Sequence, residues 1–278
     1  MFSLITGLES LISTLLNNIL ISMLEVGFSV DVLSNILKSL SIVSKNIFFN
    51  VKDGRVVFKK LDGAKMVYVD FSLSSPKISG DGLVSFNAPT LLKILNKCKK
   101  SSRVFLTHDN DGCKLYIQDP RFEKKIELPS LEEYDGEEMK LELREYDLKL
   151  PETFNGEALI NSESFLEALR DCKIIHGYRP VHLRIDSEGF HVIRKGDEEG
   201  DVHVRFKADW IDGEVEGGYD VKTLTSIVES ASSLNKFVRI SIDGIGVMKL
   251  NFSGEILDSI DKTKYSMGLI YFIAPVFD

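Results

Sequence analysis

The sequence predicts an α+β protein built from two similar half-domains. Three observations carry this: a helix followed by a β-hairpin recurs along the chain, the recurrences keep the same order in both halves, and an acidic stretch without periodicity separates them.

In the first half, Ser29 to Lys45 sets Leu33, Ile36, Leu37, Leu40 and Val43 on one face of a helix. Asn46 to Phe58 follows as strand, turn at Asp53-Gly54 and strand. Phe86 to Leu95 then leads a second helix, and Arg103 to His108, the turn Asp111-Gly112 and Cys113 to Gln118 make its hairpin. The second half repeats the plan. Ser162 to Lys173 carries Phe165, Leu169 and Cys172 on one face, ahead of Val181 to Ile185, a turn near Glu188-Gly189 and Phe190 to Arg194. Tyr219 to Val228 leads the last helix, followed by Phe237 to Ile242, Asp243-Gly244 and Val247 to Phe252. Thr90-Leu91 and Thr223-Leu224 stand as far apart in sequence as Phe86 and Tyr219, which favours duplication over chance. The expected organisation is an N-terminal extension over 1–22, a first domain over 23–128, an acidic connector over 129–152 and a second domain over 153–278.

Composition fits a globular chain: 44% of 278 residues are apolar and 27% charged. Met1 to Leu24 is apolar but contains Glu9, Asn17 and Asn18, and no Lys or Arg precedes Lys38. It therefore lacks the basic start of a secretory signal and the uninterrupted run of a membrane span, and reads as an extension upstream of Met23. Cys98, Cys113 and Cys172 have no CxxC spacing, which fits a reducing compartment and gives neither disulfide framework nor zinc cluster.

A net charge of −8 argues against nucleic-acid binding until the distribution is read. Carboxylates crowd the connector and loops, while cations gather on the helices. Ser34, Lys38, Ser41 and Lys45 share a stripe on the first helix, and Lys93, Lys97 and Lys100 align on the second with Lys99 alongside. Glu167, Arg170 and Lys173 mark the third; Lys222, Ser226, Glu229 and Ser233 mark the fourth. For one helix such a stripe is an ordinary solvated face; shared by both halves it describes a surface that holds phosphates without reading bases.

Several constellations carry no chemistry. His108 to Gly112 looks like the start of a calcium loop, but Pro120 stands where the closing glutamate is required, so a hairpin turn is expected. His182, His191 and His203 lack a ligand motif and read as solvated strand histidines. Gly244-Ile245-Gly246 has no helix after it to cradle a phosphate. No metal, cofactor or catalytic residues are expected, and the chain reads as a non-enzyme.

From Met23 to Asp278 the chain resembles the PCNA family of DNA sliding clamps, its archaeal members above all. The likeness rests on Leu269 to Pro275, Leu61 to Tyr68, Lys93 to Cys98 and Phe165 to Asp171, in that family's order along the chain. It implies a three-subunit ring around double-stranded DNA, helices lining the hole and antiparallel sheets outside, with Lys38, Lys45, Lys93, Lys97, Lys100, Arg170, Lys173 and Lys222 facing the DNA. It implies a pocket for short partner peptides formed by Leu61, Met66, Tyr68, Leu148, Leu150, Val247, Phe272, Ala274 and Pro275. DNA polymerase, the clamp loader, flap endonuclease and DNA ligase would dock there, in replication and repair at the nucleoid of a cytoplasm without a nucleus. Subunits would join through Lys124, Ile126 and Leu128 on one edge and Val202, Val204 and Phe206 on the other.

The chain also departs from that family. Glu167 and Glu229 replace bases, Val247 replaces a proline, and Ser253 to Met267 reads as a long loop able to reshape the pocket's access. An uneven cationic lining suits a heterotrimer. The rivals are a checkpoint-type or repair-specialised clamp, separable by its partners; a plain interaction module without DNA; and an enzyme on a duplicated α+β scaffold, which needs a polar cleft with converging carboxylates.

Overall fold

A computed structural model describes residues 24–109, 112–119, 121–128, 148–175, 179–196, 200–258 and 260–276. The N-terminal extension, the body of the connector over 129–147, and Asn110 and Asp111 of the expected turn region lie outside them.

The first half runs β1 (Leu24–Ser29), α1 (Val30–Ser41), β2 (Asn46–Lys52), β3 (Arg55–Leu61), β4 (Val67–Ser74), β5 (Ile78–Ser79), β6 (Gly82–Asn87), α2 (Ala88–Leu95), β7 (Arg103–Asp109), β8 (Gly112–Asp119) and β9 (Phe122–Glu127). The second runs β10 (Gly156–Asn161), α3 (Ser162–Ile174), β11 (Val181–Asp186), β12 (Gly189–Arg194), β13 (Val202–Phe206), β14 (Trp210–Gly213), β15 (Val215–Tyr219), α4 (Val221–Ala231), β16 (Phe237–Ile242), β17 (Met248–Asn251), β18 (Gly254–Leu257) and β19 (Lys264–Ile273). Each helix starts at a polar cap whose side chain accepts a backbone N–H: Ser29 from Val32, Asn87 from Thr90, Asn161 from Glu163 and Ser164, and Asp220 from Thr223. Asp53 and Gly54 both have positive φ, 51° and 71°, the geometry that a two-residue hairpin turn demands.

The ladders make the halves equivalent element by element. β1, β7, β8 and β9 answer to β10, β16, β17 and β19, and β2, β3, β4 and β6 answer to β11, β12, β13 and β15. One ten-stranded sheet runs β14-β10-β16-β17-β19-β4-β3-β2-β6, with β18 also on β19, and so crosses from half to half at β19 and β4. The remaining strands form a five-stranded sheet, β5-β1-β7-β8-β9, and a four-stranded one, β13-β12-β11-β15. α2 packs on α1, α1 on α4 and α4 on α3, one helical layer against the sheets. Their apolar faces, Leu33, Ile36 and Leu37 on α1 and Phe165 and Leu169 on α3 among them, meet the strands in one core cluster.

The structure corrects four expectations. α2 stops at Leu95, so Lys97, Lys99 and Lys100 stand in the turns beyond it: the Lys97 and Cys98 N–H groups reach back only three residues, to Ile94 and Leu95, and wind the chain toward β7. α1 likewise ends at Ser41, leaving Lys45 beyond it, and Ser34 is buried rather than on the polar stripe. Ser253 to Met267 is largely strand, because β18 folds back on residues 264–267 of β19. The near end of that hairpin, at Met267, lies five residues from Phe272, roughly 17 Å along β19 at about 3.3 Å per residue. Finally, His191 is 1% exposed, enclosed by His203 (Nδ1 to Nε2, 3.0 Å) and Asp186 (Nε2 to Oδ1, 3.0 Å), not solvated.

Candidate DNA-facing layer, peptide pocket and open edges

The helical layer presents its polar side away from the sheets. Lys38 on α1, Lys93 on α2, Arg170 and Lys173 on α3 and Lys222 on α4 are exposed, as are Lys45, Lys97 and Lys100 in the flanking turns. Their charge is not all free. Arg170 binds Glu229 across α3 and α4 (Nη2 to Oε1, 2.6 Å), and Lys100 lies 3.5 Å from Asp31. Glu229 also lines the groove between α1 and α4 with Asn35, Lys38, Ile42, Ser226 and Ser230. The groove is open to solvent and sets polar groups of Asn35, Lys38 and the serines beside the apolar surface of Ile42.

On the opposite side of the ten-stranded sheet, Leu61, Tyr68, Phe272 and Lys249 fall in one cross-strand row. The Tyr68 and Phe272 rings lie 6.2 Å apart. The Lys249 ammonium sits over Phe272 and Phe154, at 5.9 and 5.4 Å from the ring centroids. Past β19 the chain stays attached, since the Ala274 N–H donates to the Met66 carbonyl (2.9 Å) and Val276 N–H to Gly218 (2.8 Å). Pro275 packs against Gly246, where a Cβ would come within 3.2 Å of its ring. The turn carrying Gly246 is held by Asp243, whose Oδ1 accepts from the Ile245 and Val247 N–H groups (3.0 and 2.7 Å). Asp62 shapes the facing loop in the same way, accepting from Met66 and Val67 (2.7 and 2.9 Å). Met66, Tyr68, Val247, Phe272, Ala274 and Pro275 thus meet in one half-exposed patch with Ile245, 75% exposed, at its rim. Leu148 and Leu150 are half-buried shortly before β10.

The structure of Proliferating Cellular Nuclear Antigen from Entamoeba histolytica matches 91% of this chain and 99% of its own at a TM-score of 0.73 and 14% identity. This chain has the PCNA clamp fold. The A. fulgidus PCNA bound to the C-terminal region of FEN-1 agrees (TM-score 0.72, 14% identity, 92% and 99% covered), as does the PCNA2–PCNA3 complex from Sulfolobus tokodaii (0.71, 14%, 91% and 98%). By sequence, no family model and no curated protein matches.

Within the clamp fold, β9 and β13 are the end strands of their sheets. They carry the residues expected at subunit contacts: Lys124 exposed and Ile126 half-buried on β9, Leu128 buried just after it, and Val202, Val204 and Phe206 half-buried on β13. Sequence reasoning missed Lys249, Phe154 and Ile245 beside the pocket, and Phe122 and Glu123 at the start of β9. The alternation of Met248 and Leu250, buried, with Lys249 was a legible signal for an outward lysine; what it stands over depends on strands far away in sequence. No helix among the described residues is long and apolar enough to cross a membrane, and no group of three His, Cys, Asp or Glu side chains among them could hold a metal ion.

Proposed function

We propose that this chain is a subunit of a DNA sliding clamp, a closed ring of three that encircles duplex DNA and tethers replication and repair proteins to it. One observation carries the reading. The seam between the halves is closed by β19 and β4, while among the described residues their counterparts β9 and β13 end their sheets. An open edge at each end of an arc with one helical face is what a ring-forming subunit needs. The helices then line the hole, where Lys38, Lys45, Lys93, Lys97, Lys100, Lys173 and Lys222 hold phosphates without base contacts. Because the link to DNA is topological, these contacts can be weak, and no reactive group is required of the chain.

The patch around Tyr68, Phe272 and Pro275 is the site for short peptides with aromatic anchors, with Leu148 and Leu150 closing it from the connector. DNA polymerase, flap endonuclease, DNA ligase and the clamp loader are the partners this reading names, at the nucleoid of an archaeal-type cytoplasm. The FEN-1 segment bound to the A. fulgidus neighbour supports it.

The test is retention on DNA after loading. A ring stays on nicked circular DNA through a high-salt wash and slides off the same DNA once linearised. Equal loss from both forms, with loader present, would sink the proposal.

A further inference from the structure

The patch around Tyr68 and Phe272 includes a cation that the fold leaves without a carboxylate. On β17, Met248 and Leu250 are buried, while Lys249 between them stands half-buried on the outer face of the sheet. The ladders put it in the row of the patch itself: Lys249 lies opposite Phe272, and Phe272 opposite Tyr68. Phe154 ends that row on the side of the second half. The Asn155 N–H donates to the Ile242 carbonyl at 2.8 Å and Ile242 pairs with Met248, which fixes the backbone where Phe154 meets Lys249.

Two ring faces hold the ammonium, and ring quadrupoles attract a cation without neutralising it. The nearby carboxylates are engaged elsewhere. Asp243 is buried, and its Oδ1 accepts from the Ile245 and Val247 N–H groups; Asp62 accepts from Met66 and Val67 in the same way. Glu157 lies two strands away, beyond Ser241, and accepts the Ser241 hydroxyl at 2.9 Å. Among the described residues, Lys249 makes no ion pair. A half-buried ammonium beside an apolar patch is a recognition point for a carboxylate.

We infer that Lys249 selects partner peptides carrying an acidic side chain one helical turn from their aromatic anchor. The inference rests on the peptide-site reading above and deepens it by naming the class of peptide preferred there. The sheet sets the spacing. Phe272 and Lys249 stand on adjacent strands, about 4.8 Å apart. Residues three or four apart on a peptide helix are separated by about 5–6 Å. An anchor over Tyr68 and Phe272 thus brings a Glu or Asp one turn away against the ammonium. A neutral residue there would cover the cation without pairing it, and a basic one would repel it, so the same group rejects the wrong peptide.

Fluorescence anisotropy on the full chain tests this with two labelled peptides. One carries adjacent phenylalanines with Glu one helical turn to either side, and its twin carries Gln there. Wild type binds the Glu peptide about fivefold tighter, and the ratio falls toward one as salt is raised. K249R keeps the preference, K249M binds both twins alike, and K249E reverses it. Y68A weakens both peptides, which ties binding to the patch. Equal affinity of wild type for the twins, or a Glu preference that survives in K249M, overturns the selectivity of Lys249 and leaves the peptide site standing. Binding of neither peptide, or binding that Y68A leaves unchanged, overturns the peptide site and this inference with it.

Discussion

Glu229 governs the electrostatics of the helical layer at the scale of a single residue. It holds Arg170 at 2.6 Å and shares a groove with Lys38. The pair is more than half exposed on both sides, so breaking it costs the fold little. E229Q is therefore expected to leave thermal stability within about 0.5 kcal/mol and to strengthen non-specific DNA binding. Titration of labelled duplex across salt concentrations checks this: the log–log salt slope should steepen by about one unit as Arg170 becomes free for a phosphate. The cysteines make a second residue-level prediction. Burial pushes the Cys113 thiol up to about 12 and Cys172 up to about 11. Cys98 is only half-buried, and burial raises it as well. Under native conditions a thiol reagent should modify Cys98 well before the other two, and C98S should abolish the fast phase.

At the scale of elements, the β18–β19 hairpin reaches back onto the first half. Buried Asp258 accepts from the Ser29 N–H at 3.2 Å and the Tyr265 hydroxyl at 3.4 Å, while Asp261 binds Lys77 and Arg103. The Lys77 ammonium, aided by hydrogen bonds from Thr263, holds the Asp261 carboxyl well below the usual carboxylate range. A carboxylate depressed on folding adds stability above its unfolded pKa of about 3.9, and that contribution fades as pH falls below it. D261N should accordingly melt lower than wild type at pH 7, with the gap closing toward pH 2. A gap that stays constant with pH would show that the loss is packing rather than charge. The helix caps are simpler. Asp220 accepts from Thr223 at 2.7 Å, so D220A should cost about 1 kcal/mol in urea unfolding.

For the whole molecule, the sheet that crosses at β19 and β4 ties the halves into one core. Separating the chain into residues 23–128 and 148–278 should yield pieces that fold only together, because each alone exposes an apolar strand edge and the α1–α4 contact. Co-expression should recover a stoichiometric complex that unfolds in a single transition. Two independent transitions would show that each half is stable without the other.

Much of this architecture was legible because duplication is periodic. Apolar residues three and four apart, caps such as Asn87 and Asp220, and turns such as Asp53-Gly54 are local signals that survive in one chain. The sequence by itself determined the repeating helix–hairpin plan, the basic character of the helices and the closing strand through Tyr271 and Pro275. Other features were not local. The end of α2 at Leu95 depends on where β7 must pair with β1, and the burial of His191 depends on β11 and β13 flanking it. Glu229 read as an isolated departure until α3 brought Arg170 beside it. Only tertiary structure decided which strands close a seam and which stay open, because strand pairing joins residues far apart in sequence and leaves no periodic trace in either partner.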